Sequence, residues 1–169
     1  MSNTATKTIE GNAWVFGDNV DTGFIMPGTF GSLPDEELAQ HVMSGIDPEF
    51  ASKVQPGGIV VGGSNFGCGS SRETAPRGLK YAKVGAVIAQ SFARTFFRNS
   101  ICIGLPVLIC PEAGAIAAGD LLRADPIAGE IENITQGNLL KSESLPEHLM
   151  EIIRAGGLVA YLRQRNAAQ

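Results

Sequence analysis

Residues 62–72 read Gly-Gly-Ser-Asn-Phe-Gly-Cys-Gly-Ser-Ser-Arg, and no other stretch limits the possible fold so strongly. The apolar run Ile59-Val60-Val61 precedes them and a helical pattern follows. Glycines, two hydroxyls and a guanidinium therefore stand where a strand hands over to a helix. Such a junction is a natural anion site, because free backbone N–H groups and the positive end of a helix dipole converge there.

The flanking pattern extends this junction into an α/β unit. A helix is expected from about Glu73 to Lys83, then a buried strand at Ala86-Val87-Ile88-Ala89. Ser91 is placed to cap a helix running from Phe92 to Cys102 and ending near Gly104, and Pro106-Val107-Leu108-Ile109 is the next strand. Strand, helix, strand, helix, strand with short connections argues parallel pairing. Upstream, Ala13-Trp14-Val15-Phe16 reads as a strand, Gly17-Asp18-Asn19 as a turn, and the segment after Phe24-Ile25-Met26 as loop. Pro34-Asp35-Glu36-Glu37 opens a helix with Leu38, Val42 and Met43 at helical spacing. A further short helical piece lies between Pro48 and Pro56. Residues 119–141 are turn-rich and suggest a small antiparallel section. Helices follow at Pro146–Arg154 and Leu158–Arg165. Residues 1–8 are expected to be a disordered lead, and 9–169 one domain.

Bulk properties remove several function classes. With 44% hydrophobic and 18% charged residues, the 169-residue chain has the composition of a globular domain with a real core. Its net charge of −4 gives no basic footprint for nucleic acid. No run approaches the roughly 18 apolar residues of a membrane span, and no secretory signal pattern opens the chain. Cys68, Cys102 and Cys110 form no Cys-x-x-Cys pair, which suggests reduced thiols and a cytoplasmic setting. They cannot by themselves ligate a four-cysteine zinc or iron–sulfur site, so no metal is expected on this chain. His41 and His148, the two histidines, lie far in sequence from the glycine loop, so a histidine-based triad is poorly supported.

Familiar glycine motifs do not fit the loop. A P-loop requires Lys after its last glycine, whereas Cys68 follows Gly67. A dinucleotide fingerprint requires glycine where Arg72 stands, and a nucleophile elbow on Ser64 requires glycine where Phe66 stands. A reactive Cys68 thiol at a helix terminus remains open. Ser70-x-x-Glu73 also matches a capping box, which is compatible with ligand contact. Pro76 is comfortable only in a helix's first turn, so regular helix should begin near Arg72 or Glu73. Arg72 discriminates between the readings: a cation at a helix N-terminus costs roughly 0.3–1 kcal/mol. A guanidinium fork gripping a carboxylate accounts for it. Arg77 and Lys80 are expected to serve solvent or a partner.

Gly63–Glu73 resembles the signature of the aconitase swivelling-domain family, in the form carried by isopropylmalate isomerase small subunits. The likeness extends along most of the chain. Gly17-Asp18-Asn19-Val20-Asp21-Thr22 resembles the family's opening motif, and Asp47-Pro48-Glu49-Phe50-Ala51 its helix before the core strand. Ser91-Phe92-Ala93-Arg94, Phe97-Arg98-Asn99 and Gly104-Leu105-Pro106 resemble the second α/β unit, and Ala155-Gly156-Gly157-Leu158 the C-terminal turn. The resemblance implies a single β/β/α swivelling domain docked on a separate large subunit that carries a [4Fe–4S] cluster. It implies dehydration and rehydration of a small hydroxy-dicarboxylate, with no activity from this chain alone. By position, Ser70 resembles the base that removes the carbon-bound proton. Ser71 and Arg72 resemble the pair holding a substrate carboxylate, and Asp21 and Thr22 either line the cleft or serve the local turn. For Arg94 and Arg98, a helix-face, subunit-contact or substrate role stays open.

Gly28, Thr29, Phe30 and Gly31 occupy the family's specificity loop, and Gly28–Leu33 contains no arginine for an extra distal carboxylate. That disfavours homoaconitate and points first to isopropylmalate, with citramalate, dimethylmalate or another small hydroxy-diacid as alternatives. A non-catalytic, acid-binding regulatory module is the alternative from another class. Gly23 and Thr74 stand where the family usually has Asp and His.

Overall fold

The continuous apolar runs of the sequence become the parallel centre of one sheet in the computed structural model, which describes residues 8–168. The strands are β1 (Ile9–Val15), β2 (Ile59–Gly62), β3 (Ala86–Ala89), β4 (Val107–Ile109), β5 (Leu121–Asp125), β6 (Glu130–Asn133) and β7 (Asn138–Lys141). Their order is β4-β3-β2-β1-β5-β6-β7. The β4–β1 half is parallel and the β1–β7 half antiparallel. β2 and β3 are buried along their whole length, as both-face coverage of a parallel sheet requires. The antiparallel strands alternate, with Leu122, Ala124, Ile131 and Leu140 turned inward.

β1 joins the two halves. Its first residues pair antiparallel with β5, through Ile9↔Ala124 to Asn12↔Leu121. Its last residues pair parallel with β2, through Ala13↔Ile59 to Val15↔Val61. The strand expected at 13–16 thus starts four residues earlier. Glu10, Gly11 and Asn12 carry no apolar signal, because that part lies on the half-exposed antiparallel side.

The helices are α1 (Thr22–Ile25), α2 (Asp35–Leu38), α3 (Phe50–Lys53), α4 (Thr74–Tyr81), α5 (Arg94–Ile103), α6 (Glu147–Arg154) and α7 (Leu158–Ala167). The helix expected through Met43 divides into α2 and a 3₁₀ turn, Ala39–His41. Val42 is extended and Met43 has a φ of +62°, because the Met43 amide leaves the helix to bond the Ile25 carbonyl at 2.6 Å. Ahead of the loop expected after Met26, Thr22–Ile25 forms the short helix α1, which Asp21 caps through a 2.6 Å bond from the Gly23 amide. Ser91 does not cap α5. Its Oγ accepts from the Asn65 amide at 2.8 Å, and α5 begins at Arg94. Of the expected lead at 1–8, all but Thr8 lies outside the described residues.

Two basic residues of α4 act inside the chain rather than toward solvent or a partner. Arg77 pairs with Asp35 of α2 and, at 3.6 Å, with Glu73. Lys80 donates to the carbonyls of Ile103 and Gly156, tying α4 to the C-terminal ends of α5 and α6. Burial pulls the Lys80 ammonium below the ordinary lysine range, with Asp35 opposing. No helix among the described residues is long and apolar enough to cross a membrane.

Candidate functional site

The glycine loop leaves β2 at Gly62 and enters α4 at Thr74, and three elements grip it on the way. From the turn after β1, Asp18 Oδ1 accepts from the Ser64 amide at 2.7 Å, and the Gly67 amide reaches the Val20 carbonyl at 2.8 Å. From α1, the Thr22 amide donates to the Cys68 carbonyl at 2.8 Å. From the approach to α5, Phe66 pairs with Phe92 as an isolated parallel bridge, and the Phe66 side chain is buried against Phe96 and Phe92. The anchored part of the loop is therefore 63–68, and Ser70, Ser71 and Arg72 project from it, exposed.

Two glycines are obligatory here. Gly67 has φ +78°, and a Cβ there would overlap the Phe96 ring. Gly69 has φ +96°, and a Cβ there would overlap the Asp21 carboxylate. Both positions combine a left-handed backbone with a close approach, and only glycine meets both demands.

Ser70 is held from α1. Its amide donates to Thr22 Oγ1 at 3.1 Å, and the two hydroxyls lie 3.0 Å apart. Thr22 is buried, 4% exposed, so this contact sits partly out of water. Ser71 is held from α5, where Asn99 Nδ2 donates to its carbonyl at 3.1 Å. Arg72 turns toward the loop after α1. A Cβ on Gly28 would lie 2.9 Å from Arg72 Nη1, which places the guanidinium directly over the 3₁₀ turn Gly28–Phe30. Among the described residues Arg72 has no ion-pair partner.

The structure thus brings together Thr22, Ser70, Ser71, Arg72 and Gly28. Asp21 borders the group with its carboxylate engaged as the cap of α1. Phe30 packs on the core and stacks flat on His41, with ring centroids 3.8 Å apart and planes at 2°. His41, distant in sequence from the glycine loop, is thereby tied to the 3₁₀ turn Gly28–Phe30. Thr29 is exposed, and Gly31 approaches Thr74, whose Cγ2 would lie 3.9 Å from a Cβ placed there. The capping box does not form. α4 begins at Thr74 with Glu73 at the cap position and no side-chain cap, so neither Ser70 nor Thr74 serves as its cap. Pro76 falls in the first turn, where it is tolerated. Sequence reasoning assigned no separate role to Asn99, which it met only inside Phe97-Arg98-Asn99.

The thiols are dispersed: Cys68 is half-buried in the loop, Cys102 exposed on α5 and Cys110 buried beyond β4. Burial pushes the Cys110 thiol up from its ordinary range. Among the described residues no three His, Cys, Asp or Glu side chains converge as a metal set. Arg94 and Arg98 are exposed on one face of α5.

Residues 31–112 match the aconitase C-terminal domain family. The isopropylmalate/citramalate isomerase small subunit of Methanocaldococcus jannaschii is 52% identical over 94% of this chain and 96% of its own length. The 3-isopropylmalate dehydratase small subunit of Methanosarcina acetivorans is 51% identical over 92% of this chain and 97% of its own. A crystal structure of 3-isopropylmalate dehydratase from Methanocaldococcus jannaschii superposes with a TM-score of 0.92. It is 44% identical and covers 96% of this chain and 98% of that one.

Proposed function

This chain belongs to the aconitase C-terminal domain family, among the small subunits of isopropylmalate dehydratases, and from that premise we propose that it completes the active site of a two-subunit hydro-lyase acting on a hydroxy-dicarboxylate. The substrate we assign is isopropylmalate, isomerised between its 3- and 2-forms by dehydration and rehydration. The observation that carries this reading is the Arg72 guanidinium, without an ion-pair partner among the described residues and poised over Gly28, together with a Ser70 hydroxyl hydrogen-bonded to buried Thr22.

Arg72, with Ser71, grips one substrate carboxylate; the planar fork suits bidentate contact. That grip fixes the neighbouring C–H over Ser70. Ser70 Oγ, as alkoxide, takes that proton; the C–H electron pair becomes the double bond while the hydroxyl departs from the adjacent carbon. A serine oxygen is a weak acid, so its charge needs donors in place beforehand. The Thr22 lone pair already receives the Ser70 amide, which leaves the Thr22 O–H free to donate to Ser70 Oγ. The scattered thiols of this chain do not fit an iron–sulfur cluster, so a [4Fe–4S] cluster is assigned to the large subunit, where it supplies a Lewis acid for the departing hydroxyl. The turn Gly28–Phe30 carries no cationic side chain of its own, in keeping with an apolar or small substituent rather than a third carboxylate.

The test is anaerobic reconstitution with the large subunit and a panel of isopropylmalate, citramalate, dimethylmalate and homoaconitate. Isopropylmalate should give the highest kcat/KM. Ser70→Ala should lower kcat by orders of magnitude with subunit association intact, and normal turnover in that variant removes the base assignment. Binding of small diacids without turnover of any substrate would favour a regulatory module.

A further inference from the structure

We propose that Asn99 is a positioning residue that aims the Ser71–Arg72 peptide at the substrate carboxylate. The turn carrying Ser70, Ser71 and Arg72 is exposed and belongs to neither β2 nor α4. It is held at two points from two different helices: the Ser70 amide on Thr22 of α1, and the Ser71 carbonyl on Asn99 Nδ2 of α5. The first bond holds the proposed base. The second holds the peptide that joins the two residues of the proposed clamp.

α5 is a rigid platform for this task. Phe96, Ser100 and Ile101 are buried, and Ser100 Oγ donates back to the Phe96 carbonyl at 2.8 Å. Asn99 lies three residues, about one turn, beyond Phe96 on the helix, and Phe96 itself meets the loop at Gly67. A trans peptide is planar, so its C=O and the following N–H point in opposite directions. No peptide bond in the described chain is cis. With the Ser71 carbonyl drawn toward α5, the Arg72 N–H must point away from α5. Among the described residues, the amides of Ser71 and Arg72 find no acceptor. Asn99 therefore turns the Arg72 amide away from α5 as a donor without an acceptor among the described residues, and in this proposal it joins the Arg72 guanidinium on one carboxylate. Without that bond the peptide is free to rotate, and the donor and the side chain lose their common direction.

The inference rests on the reading of Ser71 and Arg72 as a carboxylate clamp, and its test separates the two. Asn99→Ala removes the donor. Asn99→Asp keeps shape but sets an oxygen against the Ser71 carbonyl. In the isolated full chain, backbone amide order parameters at Ser71 and Arg72 should drop from about 0.85 toward about 0.6 in both variants, with Tm unchanged. In the reconstituted complex on isopropylmalate, KM should rise about 10-fold or more while kcat changes less than about 3-fold, the mark of lost binding rather than lost chemistry. Wild-type order parameters in both variants overturn the inference whatever the substrate. So does loosening of the turn with unchanged KM. Loosening together with a wild-type complex inactive on every diacid overturns the proposed function and leaves Asn99 as the residue that orders the turn.

Discussion

Thr22 Oγ1 lies 3.0 Å from Ser70 Oγ and 3.1 Å from the Ser70 amide, so one buried threonine holds both the backbone and the hydroxyl of the proposed base. Its position follows from α1, whose cap at Asp21 starts the helix and sets Thr22 beneath the loop. Thr22→Val keeps the shape and removes the hydroxyl. Loss of one preorganised donor to a developing oxyanion typically costs about 10²–10³ in rate. Thr22→Val should therefore lower kcat about 100-fold with KM little changed, whereas Thr22→Ser should stay within several-fold of wild type. Equal activity in the two variants, measured in the reconstituted complex, would remove Thr22 from the chemistry.

Gly28 bounds Arg72 from the other side. A methyl there would lie 2.9 Å from Arg72 Nη1, too close for both to stay. The guanidinium is exposed and flexible, so it yields while the backbone does not. Gly28→Ala should leave Tm unchanged and raise KM about 10-fold, because only the proposed substrate grip is disturbed. A fall in Tm without a change in KM would place Gly28 in the fold rather than the site.

Arg72→Lys tests the fork itself. A point charge retains attraction but not bidentate geometry. KM should rise about 10–100-fold in Arg72→Lys, more than in Gly28→Ala. If KM is untouched, Arg72 does not hold the carboxylate.

The parallel half of the sheet was legible because β2 and β3 are buried on both faces and so spell continuous apolar runs. The loop was legible because glycine, serine and arginine at a strand–helix junction have few purely structural uses. The contacts that hold it were not. Asp18 meets Ser64 across 46 residues, Thr22 meets Ser70 across 48, and Asn99 meets Ser71 across 28. Hydrogen bonds between such distant polar residues leave no periodicity in a sequence. The capping box failed for the same reason: Ser70 is committed to Thr22, and α4 starts without a side-chain cap. Arg77 and Lys80 looked free because their partners, Asp35, Ile103 and Gly156, come from elements that only the fold brings near.

Gly67 links fold and site most tightly. Gly67→Ala would force a left-handed backbone on alanine and drive its methyl into Phe96. Strain and overpacking together should cost about 3 kcal/mol. For a chain of this size that lowers Tm by about 6–12 °C. Thermal unfolding checks this, and a wild-type Tm would mean that the loop can shift away from α5.

Away from the site, Asp120 ties the antiparallel half together. Its buried carboxylate accepts from Asn133 Nδ2 at 2.7 Å, the Ala117 amide at 2.9 Å and Gln136 Nε2 at 2.7 Å. These bonds, that from Asn133 foremost, hold the carboxyl below the ordinary aspartate value of 3.8. A carboxyl whose folded value is depressed stabilises the fold at every pH above the ordinary value. That contribution is lost as pH falls from there through the lower folded value. Asp120→Asn removes the charge and with it the linkage. The variant should melt below wild type near pH 7, and the gap should close as both are titrated below about pH 4. Thermal melts across that range decide the matter: a gap that stays constant down to about pH 2 would assign the loss to packing or hydrogen-bond geometry instead of to the ionised carboxylate.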